Sequence, residues 1–173
     1  MNRLLISVVI LGLVSITCSS TATPVVVERE GEPDVIMVES DDPEMNAAIQ
    51  EAQDSLDVFI ADLESPRVGQ VYFSIKARFP VPGSSGDYEH IWLYDVVYTG
   101  DKFTGRIANE PLDVPDLELD QKVSVEREDV SDWMIIEDGV LVGGFTIRVL
   151  RDRLSPEERE EFDRGLGFVI LDE

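Results

Sequence analysis

From residue 43 to residue 65 the apolar positions Met45, Ile49, Ala52, Leu56, Phe59, Ile60 and Leu63 recur every three to four residues. That spacing lays one stripe along an α-helix. Asp42 stands where an N-cap belongs and Pro43 at the first helical position, so the pattern predicts one amphipathic helix with an acidic, solvent-facing back. The period then changes. In "GQVYFSIKARFP", Val71, Phe73, Ile75, Ala77 and Phe79 alternate with Tyr72, Ser74, Lys76 and Arg78, as on a strand buried on one side. Pro80, Pro82 and "GSSGD" break the pattern before "EHIWLYDVVY". This second strand is apolar on both faces, with Ile91, Leu93 and Val97 on one and Trp92, Tyr94 and Val96 on the other, which predicts a central strand covered on both sides at least in part.

"TGD" turns the chain into a third strand, "KFTGRIAN", and "QKVSVE" and "WMIIEDGVLVGG" supply more, with Asp138-Gly139 as a hairpin turn. Helical spacing returns in "FTIRVLRDRL", where Ile147, Leu150 and Leu154 share a stripe. Ser155, Pro156 and Glu158 then form the start of a last helix, with a capping box. The expected fold is α+β: an antiparallel sheet of about five strands, packed by an N-terminal amphipathic helix and C-terminal helices. A chain of 173 residues fits a single such domain, placed at 43–173.

The N-terminus follows a different order. Arg3 precedes an apolar run at 4–16, then small and polar residues, the layout of an export signal too short to span a bilayer comfortably. Cys18, the only cysteine, follows at once and has no disulfide partner. It resembles the lipidated cysteine of bacterial lipoproteins, although Ser15 and Thr17 depart from the usual lipobox. The competing readings are cleavage after Ala22 and an uncleaved anchor. Residues 1–17 are therefore read as signal peptide, and 18–42, rich in Pro, Gly and acids, as a flexible acidic tether in which "VVV" and "VIMV" could pair briefly. The protein is expected to be exported, either lipid-anchored in the bacterial envelope or periplasmic or secreted.

Charge narrows the partners. A formal net charge of −22 leaves no basic surface for nucleic acid, and contact with a membrane is expected only through a lipid. Thirteen acidic residues and one arginine lie between 28 and 64, a block read as a solvated face.

Taken together, "EHIWL", "FTGRIANEP", "VSDWM" and "GGFTIRVLRDRLSPEER" resemble the bacterial YegJ-like family, domain of unknown function 2314, over residues 43–167. The resemblance touches Glu89, His90, Trp92, Gly105, Asn109, Glu110, Pro111, Asp132, Trp133, Gly143, Gly144, Thr146 and Arg148. It implies a compact α+β module, often exported, with no activity to carry over. The family pattern has a glycine near Asp120-Gln121 that this chain lacks, which implies a differently built turn there.

The candidate chemistry is sparse. His90 is the only histidine, and residue types suited to acid–base work or metal binding start with it. Glu89 and His90 point to opposite faces of a strand, however, so His90 is expected to be packed against aromatics and hydrogen-bonded. "DLELD" fails as a calcium loop, because counting from Asp116 puts Gln121 and Arg127 where Gly and Glu are required. One cysteine and one histidine are too few for zinc. No catalytic, cofactor or metal residues are therefore assigned, and the candidate binding surface is His90, Trp92, Asn109, Glu110, Trp133 and Arg148. Arg148, Arg151 and Arg153 are expected to pair with nearby carboxylates. The preferred reading is a non-enzymatic interaction module for an unknown protein or small ligand. The alternative is an acidic immunity-type inhibitor of a basic toxin or enzyme, marked by unpaired surface carboxylates. A more distant one is a hydrolase, which would need His90 exposed in a cleft within reach of a Ser, Asp or Glu.

Overall fold

The structure, a computed structural model, describes residues 25–29, 32–37 and 42–172. Two units are distinct in the chain. In the first, β1 (Val25–Arg29) and β2 (Glu32–Met37) pair antiparallel with Val25 opposite Met37, so the two valine-rich runs of the tether form a hairpin. Cys18, the signal segment and the rest of the tether lie outside the described residues.

The second unit is the α+β domain. Helices α1 (Pro43–Asp54) and α2 (Leu56–Glu64) are followed by β3 (Gln70–Pro80), β4 (Tyr88–Thr99), β5 (Lys102–Ile107), β6 (Lys122–Glu126), β7 (Val130–Glu137) and β8 (Val140–Gly143). Then come α3 (Phe145–Asp152) and α4 (Pro156–Leu166). The sheet has six strands in the order β6-β5-β4-β3-β7-β8, one more than the five expected, and every neighbouring pair is antiparallel. Ser155 and Glu158 form the predicted capping box of α4.

The main core joins the helices to one face of the sheet: Ala52, Leu56, Phe59 and Ile60 meet Ile75, Ala77, Ile91, Leu93, Phe103, Ile107, Trp133 and Ile135. Adjacent residues on a strand point to opposite faces, so Ile136 and Leu141 leave this core and build a smaller one with Ile170, Met134, Ile147, Phe162, Leu166 and Phe168. That second core covers the opposite face only at the β7–β8 end. The second face of β4 is covered only in part: Trp92 is half-buried, whereas Tyr88 and Tyr94 are exposed.

Three departures from the simple periods have local causes. The single helix expected over 43–65 is broken at Ser55, because the Trp133 indole N–H donates to Ala52 O at 3.0 Å and to Ser55 Oγ at 3.1 Å. In an unbroken helix the Ala52 carbonyl would accept from residue 56; a side chain inserted into that ladder bends it. Ser55 Oγ also bonds back to Glu51 O at 2.7 Å. In β3 the register slips between Val71 and Ser74, around Tyr72 at φ +53°, so Val71 turns to solvent while Phe73 and Ile75 keep the core face. In β4 a slip between Tyr94 and Val97, around Asp95 at φ +52°, buries Val96 and exposes Val97, the reverse of the expected assignment. At the turn where the family glycine is missing, Asp120 takes φ +66°, a left-handed conformation that Asp tolerates.

Trp133→Phe keeps the ring in the core but leaves the Ala52 carbonyl without the indole donor. Urea unfolding followed by circular dichroism is expected to show a loss of about 1–3 kcal/mol at unchanged m-value.

Candidate functional site

The open face of the sheet is built by cross-strand neighbours. Pairing of β3 with β4 sets Lys76 opposite Trp92, Arg78 opposite His90 and Pro80 opposite Tyr88. Lys76 Nζ lies 5.0 Å from the Trp92 ring centroid, and the Arg78 guanidinium carbon 5.2 Å from that of Tyr88, both within cation–π range. Arg78 also donates to Asp129 at 3.0 Å.

His90 stands at the surface with one ring edge turned in, its Nδ1 2.7 Å from Ser131 Oγ. The Ser131 hydroxyl reaches the Lys76 carbonyl at 3.3 Å. A carbonyl only accepts, so the hydroxyl proton goes there, Nδ1–H donates to Oγ, and Nε2 is the unprotonated nitrogen. Packing around the ring, and then the cations Lys76 and Arg78, hold His90 down at about 4, so the imidazole is neutral near pH 7.

Beside it lies a buried polar knot. Asp132, fully buried, accepts from Trp133 N at 2.8 Å, Phe145 N at 3.1 Å and Thr146 N at 2.9 Å, and from Thr146 Oγ1. Lys76 Nζ donates to Thr146 Oγ1 at 2.9 Å. The residue preceding α3 is Gly144, which has no side chain to cap the helix, so a carboxylate from β7 does so from another element. Burial pushes Asp132 up and Lys76 down, and the charge of each opposes the shift of the other.

The candidate residues separate into two groups. His90 and Trp92 share the open face, and Asn109 adjoins them: its Oδ1 accepts from Trp92 N at 3.0 Å while Ala108 N donates to Trp92 O at 2.8 Å. The Asn109 side chain thus continues the pairing of β4 where β5 ends, and Glu110 beyond it is exposed. Trp133 is not part of a binding surface. It is 3% exposed, with Phe59 and Phe145 each 5.6 Å away between ring centroids. Arg148 is not free either, and it pairs with carbonyls instead of the carboxylates expected: Gly143 O at 3.1 Å, Leu171 O at 3.1 Å and Leu141 O at 3.2 Å. Arg151 does pair with Asp163 and Asp172, and Arg153 with Asp42 and Glu44. Sequence reasoning missed Ser131, Lys76 and the anchoring role of Glu89, which accepts from Leu112 N at 2.8 Å and Asp113 N at 2.9 Å. No local motif announces these contacts. Among the described residues no three His, Cys, Asp or Glu side chains gather to hold a metal ion.

Residues 42–170 match the model of a family described as an uncharacterized protein conserved in bacteria, DUF2314. The chain belongs to the DUF2314 family. It is 35% identical over 117 residues to the uncharacterized protein YegJ of Escherichia coli K12, covering 68% of this chain and 73% of that one. It is also 32% identical over 147 residues to a putative ankyrin repeat protein of Neisseria meningitidis serogroup B, covering 82% of this chain. The match spans 58% of that relative's length. No solved structure matches the chain. The YegJ-like DUF2314 resemblance read from the motifs is therefore right, and the knot Asp132–Thr146–Lys76 belongs to the matched segment.

With a single histidine, the imidazole proton signals of this DUF2314 chain are unambiguous in NMR, and their titration midpoint is expected near 4. A folded-state value below the unfolded one means that the unfolded chain binds more protons. The His90 contribution is thus fully present above about pH 6.5 and is lost as pH falls toward 4. His90→Gln should flatten that part of the stability–pH curve. Asp132→Ala, which strands the Lys76 cation, is expected to cost about 3–5 kcal/mol in chemical denaturation.

Proposed function

We propose that the domain is a non-enzymatic binding module, held at the bacterial envelope by a lipid on Cys18, that recognises a protein or small ligand through the open sheet face. The observation that carries this reading is the row of exposed Tyr88 and His90 and half-buried Trp92, flanked by Lys76 and Arg78, in a strongly acidic protein. Aromatic faces and cations held in place by their neighbours offer contact area at low ordering cost. The neutral His90 adds an acceptor at Nε2, and the Asn109–Glu110 turn borders the face. Hydrolysis is disfavoured although His90 is exposed and within reach of a serine, since Ser131 is only 1% exposed and its hydroxyl already bonds Lys76 O. On the helical face Asp57 pairs with Arg127 and Asp62 with Arg67, whereas the exposed Glu51 and Glu64 form no ion pair among the described residues, so an acidic inhibitor is the second reading.

A photoreactive amino acid placed at Tyr88 on the open face, or at Val58 on the helical face, distinguishes these readings in living bacteria. Adducts from position 88 alone are expected; adducts from position 58 alone would turn the reading to an acidic inhibitor that docks through its helices. Intact mass of the same membrane-purified chain is expected to carry two or three acyl groups, and a Cys18→Ala version to lack them. A soluble, unacylated wild type would sink the envelope anchor.

A further inference from the structure

The two edges of the six-stranded sheet are finished differently. At β8 the C-terminal segment closes the edge: Leu141 N donates to Val169 O and Val169 N to Gly139 O, both at 2.9 Å, and Arg148 occupies the Leu141 and Gly143 carbonyls. At β6 no further strand of the sheet pairs outside it among the described residues. Its inner side pairs with β5, from Lys102 opposite Glu126 to Arg106 opposite Lys122. Just beyond the strand's two ends, Ile107 N donates to Gln121 O at 3.0 Å and Arg127 N to Asp101 O at 3.1 Å. Antiparallel ladders alternate, so Val123 and Val125 point their backbone groups at β5. Lys122, Ser124 and Glu126 point their N–H and C=O groups outward. All three are exposed.

An exposed edge of unpaired backbone groups is a template for another strand. The segment Lys122-Val123-Ser124-Val125-Glu126 is its own charge complement when reversed about Ser124. We propose that β6 pairs antiparallel with β6 of a second copy of this chain, about a two-fold axis through Ser124. Lys122 then lies opposite Glu126 of the second copy and Glu126 opposite its Lys122, in the positions that exchange both N–H···O bonds. Val123 meets Val125 of the second copy on the helix-bearing face. Val125 is already buried there, and both valines pack on the main core, so the apolar layer continues from one copy to the next.

The charges within one copy call for this partner. Glu126 is bonded to Lys102, whereas Lys122 faces another cation, Arg106, across the ladder and has no carboxylate bonded to it among the described residues. Like charges directly opposite are unfavourable, and the glutamate of a second copy fills the vacant side. The contact is short, so the dimer belongs to the weak class of interfaces. Salt near 0.15 M, with a screening length of about 8 Å, damps the long-range repulsion between two acidic chains and spares pairs in contact.

The test is disulfide trapping of the full chain at 0.15 M salt, with Ser124→Cys in a Cys18→Ala background. Facing Cα atoms about 5.5 Å apart suit a disulfide. Covalent dimer is expected on mild oxidation, and adding either Lys122→Glu or Glu126→Lys should lower its yield about tenfold, by setting like charges opposite each other. An equimolar mixture of those two variants should recover the yield as heterodimer, because each then supplies what the other lacks. A chain that yields only monomer overturns the proposal. So does a yield indifferent to the charge variants, or one matched by Asp138→Cys at the far end of the sheet. Recovery in the mixture also excludes misfolding as the cause of the single-variant losses.

Discussion

A buried carboxylate, that of Asp132, holds the two ends of this fold in place. It has no solvent, and its stability depends on the N–H groups of Phe145 and Thr146, the Thr146 hydroxyl and the nearby Lys76 cation. Ionised groups are tolerated in such surroundings only when paired and hydrogen-bonded. The next residue on the strand must point the other way, and Trp133 accordingly enters the helical core and breaks the first helix at Ser55. One dipeptide of β7 thus fixes helices on both faces of the sheet. Gly143, at φ +73°, completes the junction, since a Cβ there would come within 2.4 Å of the Trp133 carbonyl oxygen.

The arginines of the C-terminal part tie the helices down. Arg153 forks onto Asp42 at 2.6 and 2.7 Å and so joins the cap of α1 to the end of α3. The guanidinium, helped by the cap bond from Met45 N, holds the Asp42 carboxyl at about 2. Arg151 bridges Asp163 and Asp172. Lys76 and Arg78 are held as well, by Thr146 and Asp129, and lie beside Trp92 and Tyr88, so the chemistry of the open face differs from that of the acidic helical side.

Much of the fold was legible in the sequence because it depends on local periods. The helical stripe from Met45 to Leu63, the caps at Asp42 and Ser155, the alternation in β3 and the Asp138-Gly139 turn each rest on residues close together in the chain. The bulges at Tyr72 and Asp95 were not legible, since the residue types do not fix a positive φ at those places; one turns Val71 out and the other exchanges the facing of Val96 and Val97. The candidate site was half legible. His90 and Trp92 could be placed on one face of one strand, but their neighbours Lys76 and Ser131 come from other strands. Trp133, grouped with the candidate binding surface, belongs instead to the core, the commoner place for a large aromatic in a small sheet domain.

By itself, the sequence determined the class of the domain, the identity and order of most of its elements, its acidic character and its membership of the DUF2314 family, all properties carried by short-range pattern or by the joint motif. Only the tertiary structure decided that Asp132 caps a helix it does not precede, that an indole breaks α1 from α2, and that His90 bonds Ser131 41 residues away. The physical reason is that a period records which face a side chain takes, whereas hydrogen-bond partners and burial depend on strand order and register, and these arise only when distant segments pack.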